Sequence, residues 1–380
     1  MKKLTILLSI LIISYITIGC KNIDRYKIET INTIDSKEVG IEENIKILAL
    51  FENNLLYKKE IQSYSDTADD EYFIYDIVSK ESKSIGIIKD INIDSGDFQI
   101  INNEYIYMSP GIYKNDKLVS QLTKFDINNT KKEIISEVSD TNPLIYFNKL
   151  NNKEFIMHGA KFNEKSNEFS YYIDTYNFEN NIRNTIVKSN YNMNTQTGRV
   201  IVSVSVNDDK IYAYIMDQSE NINKHLIEIF DENGKLNKVL ELKKLDNYLI
   251  DSNGEVDAVF NLTAFKNYLH IYTLNGKSIL FKYNNDNLEY LELGENNRMQ
   301  LIDLYNDNLD NIQNNKVYFL DKTINTLYLL DLNTSKLDTL DISIEEGYII
   351  NDCVVNERGD VIVKCSKNES EYKYYFIEVE

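Results

Sequence analysis

Asn314-Asn315-Lys316-Val317-Tyr318-Phe319, then Leu327-Tyr328-Leu329-Leu330-Asp331 and Leu332-Asn333-Thr334, is the stretch on which the fold turns. A polar pair leads into a short apolar strand. A second strand ends in a bulky apolar residue and Asp, and a tight polar turn follows. Both strands are apolar on consecutive positions, the pattern of a strand covered on two faces. Both markers recur along the chain in either direction. The first appears as Asn53-Asn54 before Leu55-Leu56-Tyr57, Asn102-Asn103 before Tyr105-Ile106-Tyr107 and Asn151-Asn152 before Phe155-Ile156-Met157. It returns as Asp208-Asp209 before Ile211-Tyr212, Asn267 before Tyr268-Leu269 and Arg358-Gly359 before Val361-Ile362-Val363. The second appears at Tyr75-Asp76, Phe125-Asp126, Tyr176-Asn177, Phe230-Asp231 and Tyr283-Asn284.

A unit of roughly 50 residues holding four strands is the mark of a β-propeller blade. The chain is therefore predicted to be all-β, a propeller of about seven four-stranded blades over 45–380. Asn, Asp and Gly occupy the turns because they tolerate the positive φ of two-residue hairpins. The seventh unit stops at Tyr374-Tyr375-Phe376-Ile377-Glu378, which matches a third strand, so its fourth is missing. Tyr26-Lys27-Ile28-Glu29-Thr30-Ile31 alternates like a strand with no partner. Residues 26–33 are accordingly expected to close the last blade, which removes an open strand edge. Leu301, Leu304, Tyr305, Leu309 and Ile312 have helical spacing, so a short helix competes with a strand at the start of the sixth unit. The pattern resembles bacterial propeller lipoproteins and generic quinoprotein-like or Tyr-Val-Thr-Asn-type repeats. No WD dipeptide, kelch Gly-Gly pair or sialidase Asp box occurs, so the resemblance carries over no functional residue.

The chain opens with Met1-Lys2-Lys3, an apolar run from Leu4 to Ile18, then Gly19 and Cys20. A basic start, a short apolar stretch and a small residue make a secretory signal. The run is shorter than the roughly 20 residues of a membrane-spanning helix. Thr17-Ile18-Gly19-Cys20 resembles the lipobox of bacterial lipoproteins, departing from it at Thr17, where that family carries an aliphatic residue. The resemblance implies that residues 1–19 are removed and that Cys20 receives acyl chains. Each buried methylene contributes about 0.8 kcal/mol, and two or three chains anchor stably. Residues 20–44 then serve as anchor, linker and closing strand. The implied location is the extracytoplasmic face of a bacterial membrane.

Sixty acidic residues against 41 basic ones give a net charge of −19, and loss of Lys2 and Lys3 takes it to −21. That balance argues against nucleic acid and against direct docking on anionic lipid. Besides Cys20 only Cys353 and Cys365 occur. No Cys-x-x-Cys is present, and the expected hairpin register does not set the two opposite each other. Two buried free thiols are expected rather than a disulfide, and no zinc or other cofactor is indicated.

The turns of the first and last hairpins of each unit share one face. The second-to-third-strand loops and the links between units share the other, and are longer at 61–70, 159–168, 189–198 and 243–255. Long loops on a rigid scaffold carry binding. The candidate ligand residues there are Tyr64, Asp66, Asp69, Tyr113, Tyr191, Asp217, Tyr248 and Asp251, with Asp70 and Asp257 as further acids. Tyrosines stack on a sugar or grip a peptide, and the acids attract cations. Asp251-Ser252-Asn253-Gly254-Glu255-Val256-Asp257 hints at a calcium loop, but its glycine comes early and the closing glutamate is absent. No metal is assigned. His158, His225 and His270 stand singly on or beside predicted strands and are read as structural. No Gly-x-Ser-x-Gly or His-Glu-x-x-His occurs. The leading reading is a lipid-anchored surface binding or scaffold module for an envelope protein, peptide or glycan. The competing one is an extracytoplasmic glycan hydrolase or lyase built on the same propeller. A two-lobed solute receptor is disfavoured by the near absence of helical pattern.

Overall fold

The second marker has a plain physical job in the computed structural model. Asp76 Oδ1 accepts hydrogen bonds from the Val78 and Ser79 N–H at 2.8 and 2.9 Å. Asp126 Oδ1 accepts from Asn129 N–H at 2.8 Å, and Asn177 Oδ1 from Glu179 and Asn180 N–H at 3.1 and 3.3 Å. Asp231 and Asp331 close their turns in the same way. A short carboxylate or amide at the end of the third strand satisfies the turn's N–H groups, and the chain reverses there. The structure describes Glu29 to Glu378 except residues 31–35, 42, 65–66, 93–96, 102–103, 110, 115–116, 139–145, 152, 178, 181, 220–222, 244, 250–256, 276, 285–286, 292–298, 302–314, 322–325, 341, 343, 357 and 369.

The described strands fall into antiparallel runs in chain order, here called units. Unit 1 holds Lys46–Phe51, Asn54–Ser63, Thr67–Asp76 and Glu81–Asn92. Unit 2 holds Asp97–Ile101, Tyr105–Ser109 continued by Gly111–Lys114, Lys117–Asp126 and Lys131–Val138. Unit 3 holds Tyr146–Lys149, Glu154–Asn163, Glu168–Asn177 and Ile182–Asn192. Unit 4 holds Thr197–Asn207, Lys210–Asp217, Lys224–Phe230 and Leu236–Glu241. Unit 5 holds Val259–Phe265, Tyr268–Thr273, Ser278–Asn284 and Asn287–Leu291. Unit 6 holds Met299–Leu301, Lys316–Asp321, Thr326–Asp331 and Lys336–Leu340, and the last unit Ile349–Val355, Val361–Lys367 and Glu371–Ile377.

Each unit buries one face against the next, which is why its strands are apolar on successive positions. Leu56 and Ile74 of unit 1 pack with Ile106 and Phe125 of unit 2. Ile156 and Ile173 meet Val204 and Ile211 between units 3 and 4, and Tyr214 and Ile227 meet Leu262 and Ile271 between units 4 and 5. The last unit packs on the first through Val354, Ile362 and Phe376 against Leu55 and Tyr75. In units 1 to 4 the pairing of the third and fourth strands shifts by one residue, leaving Ile85, Ile135, Ile186 and Asn237 as extra residues on the outermost strand. Such bulges twist an outer edge away from edge-to-edge pairing with another chain.

The N-terminal segment corrects one expectation. Ser36–Glu38 pairs antiparallel with Glu371–Ile377, Ser36 opposite Ile377 and Glu38 opposite Tyr375. Glu29–Thr30, the described part of 26–33, instead lies parallel along the outer edge of unit 6, opposite Asp338 and Thr339. Alternation marks a strand but not its partner. The partner is chosen just downstream, where buried Val39 enters the core between the last and first units and its N–H bonds Tyr374 O at 2.8 Å. Leu301 ends a strand, and the other residues of the expected short helix lie outside the described residues. Cys353 pairs with Val363 and Cys365 with Ile350, so the two thiols are not opposed; both are buried and neither is in a disulfide.

Candidate functional site

The segments 61–70, 159–168 and 189–198, expected as long loops, are mostly strand. Asn54–Ser63 and Thr67–Asp76 run 10 residues each, and Ile182–Asn192 and Thr197–Asn207 run 11. Unit 3 therefore carries its hairpins past its core as a projecting tip, continuous through Asn192↔Thr197 and Tyr191↔Gly198 with unit 4. The reason is local: Glu168-Phe169-Ser170-Tyr171 alternates polar and aromatic and Lys188-Ser189-Asn190 before Tyr191 is polar, sequences that pair as well outside the core as inside it.

One row of the tip reads Phe162, Phe169, Tyr191, Gly198 across the strands. Tyr171, two residues from Phe169, shares that face. The rings of Phe162 and Phe169 lie 4.7 Å apart, and those of Phe169 and Tyr171 6.0 Å. Burial, helped by the nearby Tyr191 hydroxyl, raises the Tyr171 phenol above its ordinary pKa. All four rings are half-buried, and Met193 beyond them is exposed. Two turns above the row are locked together. Met193 N–H donates to Asn167 O at 3.0 Å, and Asn167 Nδ2 donates to Asn194 Oδ1 at 2.7 Å. Asn192 Oδ1 accepts from Asn194 and Thr195 N–H, while its Nδ2 donates to Glu168 Oε1 at 3.0 Å. Gly198 has φ +128°, and a Cβ there would sit 2.2 Å from Asn190 O, so the hairpin needs glycine. The tip is thus built before any ligand arrives, which lowers the ordering cost of binding.

Beside the tip, Arg199 bridges two acids of unit 4, with Glu228 at 2.5 Å and Asp217 at 3.3 Å. Glu228 is buried. Partial burial works to raise the Asp217 carboxyl, but hydrogen bonds from Ser219 and the charge of Arg199 outweigh it and hold the group below its usual range. Of the residues expected from sequence, Tyr191 and Asp217 come to this region, on strands separated by Thr197–Asn207. The others do not. Tyr64 is 48% exposed at the hairpin end of unit 1, and Tyr113 is 40% exposed on unit 2. Asp69 accepts the N–H of Asp90 at 3.0 Å and buttresses its own sheet. Tyr248 stacks on Tyr290 at 4.1 Å from the short helix Leu245–Leu249 and belongs to the core margin between units 4 and 5. Asp70, paired with Lys58 within its sheet, and Asp257, in the connection just before Val259–Phe265, are both buried. Asp66 and Asp251 lie outside the described residues, as does Cys20.

The histidines are structural in their surroundings. Burial depresses the His158 imidazole to about 4 and that of His270, bonded to Ser278 Oγ, to about 3. His225 Nδ1 and the Tyr214 hydroxyl share a hydrogen bond at 2.5 Å. Among the described residues no three His, Cys, Asp or Glu side chains converge as a metal site would require. Sequence reading missed Phe162, Phe169, Tyr171, Arg199 and Glu228. Their signal was the alternation itself, which becomes a row only once hairpin register is known.

No protein-family model matches the chain, and no curated protein matches it. Solved structures do. The β-propeller domain of the trilobed protease from Pyrococcus furiosus superposes with a TM-score of 0.53 at 11% identity, covering 90% of this chain and 95% of that one. Oligogalacturonate lyase from Vibrio parahaemolyticus gives 0.54 at 12%, covering 94% and 99%. A putative 6-phosphogluconolactonase from Bacteroides fragilis gives 0.50 at 11%, covering 87% and 96%. The chain is an all-β protein with a β-propeller fold. Likeness at this level of identity establishes architecture alone.

Proposed function

We propose that this chain is a seven-bladed propeller, its last blade completed by Ser36–Glu38, that works as a binding module. In this reading residues 1–19 are a signal peptide, and a lipid on Cys20 holds the propeller on the extracytoplasmic face of a bacterial membrane. It uses no cofactor. The partner is an envelope peptide, protein or glycan, gripped at the tip shared by blades 3 and 4. The observation that carries the reading is the preformed aromatic row Phe162, Phe169, Tyr191 with Tyr171. Half-exposed rings on a rigid support are what binding energy is usually built from.

The test is co-sedimentation of the mature chain with isolated cell-wall sacculi, and capture on the immobilised chain from detergent-solubilised envelope, beside the Phe169→Ala/Tyr191→Ala double variant. Retention lost in the variant, with a thermal transition within a few degrees of the parent's, supports the reading. Equal retention by both removes the tip from it. Release of new sugar ends or unsaturated sugars during incubation moves the reading to the alternative, a glycan hydrolase or lyase.

A further inference from the structure

We infer that the lipid anchor holds the outer edge of blade 6 toward the bilayer, so that the blade 3 tip lies on the far side. The inference rests on the proposed lipid at Cys20 and on the seven-bladed ring. Its own observations are the two pairings of the N-terminal segment. Ser36–Glu38 lies on the last sheet and is pinned by Val39 N–H to Tyr374 O at 2.8 Å and by Lys373 to Glu38 at 3.5 Å. Glu29–Thr30 lies on Lys336–Leu340, the outermost strand of the sixth sheet. Glu29, opposite Asp338 on that edge, is therefore at most nine residues of chain from Cys20 (29 − 20).

Nine residues span at most about 30 Å when fully extended. A folded body of this length is about 50 Å across by the usual size scaling. A tether shorter than the body it holds cannot place all sides at equal distance from the membrane. In a ring of seven, blade 3 is three places from blade 6, as far as the ring allows. The net charge of −21 (−19 less Lys2 and Lys3) opposes the body lying down on an anionic surface. The tip is thus presented outward, and what it meets is a component beyond the bilayer rather than lipid.

The experiment uses the full mature chain, lipidated in the producing cell and reconstituted in vesicles of phosphatidylglycerol and phosphatidylcholine carrying an acceptor dye on a lipid headgroup. A donor dye is placed through a non-natural residue at Asn333 or at Glu179. Both are exposed residues in the turn between third and fourth strands, on blade 6 and blade 3 respectively. Matching the turn cancels any difference between the two faces of the disc. Energy transfer at least twofold greater from position 333 than from 179 is expected. Thr30→Pro, which takes an N–H from the short parallel ladder, is expected to narrow that difference. Equal transfer from vesicle-bound protein, or the reverse order, overturns the inference while leaving lipid anchoring intact. Protein that does not partition into vesicles overturns the anchoring reading, and the inference falls with it.

Discussion

The seam between units 4 and 5 and the tip of unit 3 are made from the same kinds of residue and do opposite things. At the seam, Ser203 Oγ accepts from Leu262 N–H at 3.0 Å, Ser205 Oγ from Ala264 N–H at 2.9 Å, and Asn207 Oδ1 from Lys266 N–H at 3.1 Å. Asn207 Nδ2 returns a bond to Lys266 O at 3.1 Å. Every second side chain of one innermost strand, each of them buried, thereby satisfies the neighbouring unit's backbone. At the tip, Asn167, Asn192 and Asn194 bind one another's turns in the open, above rings that remain half-exposed. Polar groups in the seam have no water to fall back on, so they hold the ring together. Those at the tip have water and so fix only shape, leaving aromatic surface for a partner.

That contrast can be broken or sharpened by substitution. The largest effect is expected from Ile271→Ala, a fully buried seam residue, which should cost about 2–5 kcal/mol. The measurement is the midpoint of chemical denaturation at unchanged slope. Asn207→Ala comes next. It leaves the Lys266 N–H without its acceptor, at a cost of about 1–3 kcal/mol, while Lys266 O keeps the Tyr283 hydroxyl at 2.9 Å. A loss within the ±0.5 kcal/mol or so usual for surface substitutions would mean that water enters the seam and the contrast is false.

Acid should weaken the interior before the tip. His158 and His270 are held neutral when folded, at about 4 and about 3, below the ordinary value of 6.5. Below pH 6.5 the unfolded chain binds protons that the folded one refuses, so stability falls as pH falls toward those values. Between pH 6.5 and 5 each histidine should account for about 2 kcal/mol. Denaturation midpoints of His270→Gln and the parent at the two pH values check this; parallel slopes would refute it. At the tip, Phe169→Ala should shift the thermal transition by only a few degrees while abolishing retention on envelope material. The smallest effect is expected at the thiols. Burial raises the Cys365 thiol to about 12, so neither it nor buried Cys353 should react with a maleimide until the chain is unfolded.

Much of the architecture was legible in the chain. Asp76, Asp126, Asn177, Asp231 and Asp331 announce their turns because the hydrogen bonds that make those turns run between residues two to four apart. The run Leu327-Tyr328-Leu329-Leu330 announces burial on both faces because no alternation is left in it. The candidate site was only half legible. Tyr191 was found as an isolated aromatic, and Phe162 and Phe169 were not. Tyr248 looked like a binding residue and is packed on Tyr290. The segment expected to pair with the last unit was misplaced: Glu29–Thr30 lies on unit 6, and Ser36–Glu38 pairs with Glu371–Ile377.

The sequence by itself determined the period, the turn chemistry and the two-sided apolar strands, and hence an all-β repeat fold, because those rest on residues close together in the chain. The tertiary structure alone decided which distant strands share a register. Only there do Phe162, Phe169 and Tyr191 become one row, does Ser36 rather than Glu29 pair with the last sheet, and do Asp70 and Asp257 turn out to be buried. A shift of one residue in pairing turns every side chain of a strand to its other face, and nothing local in the chain records which way it fell.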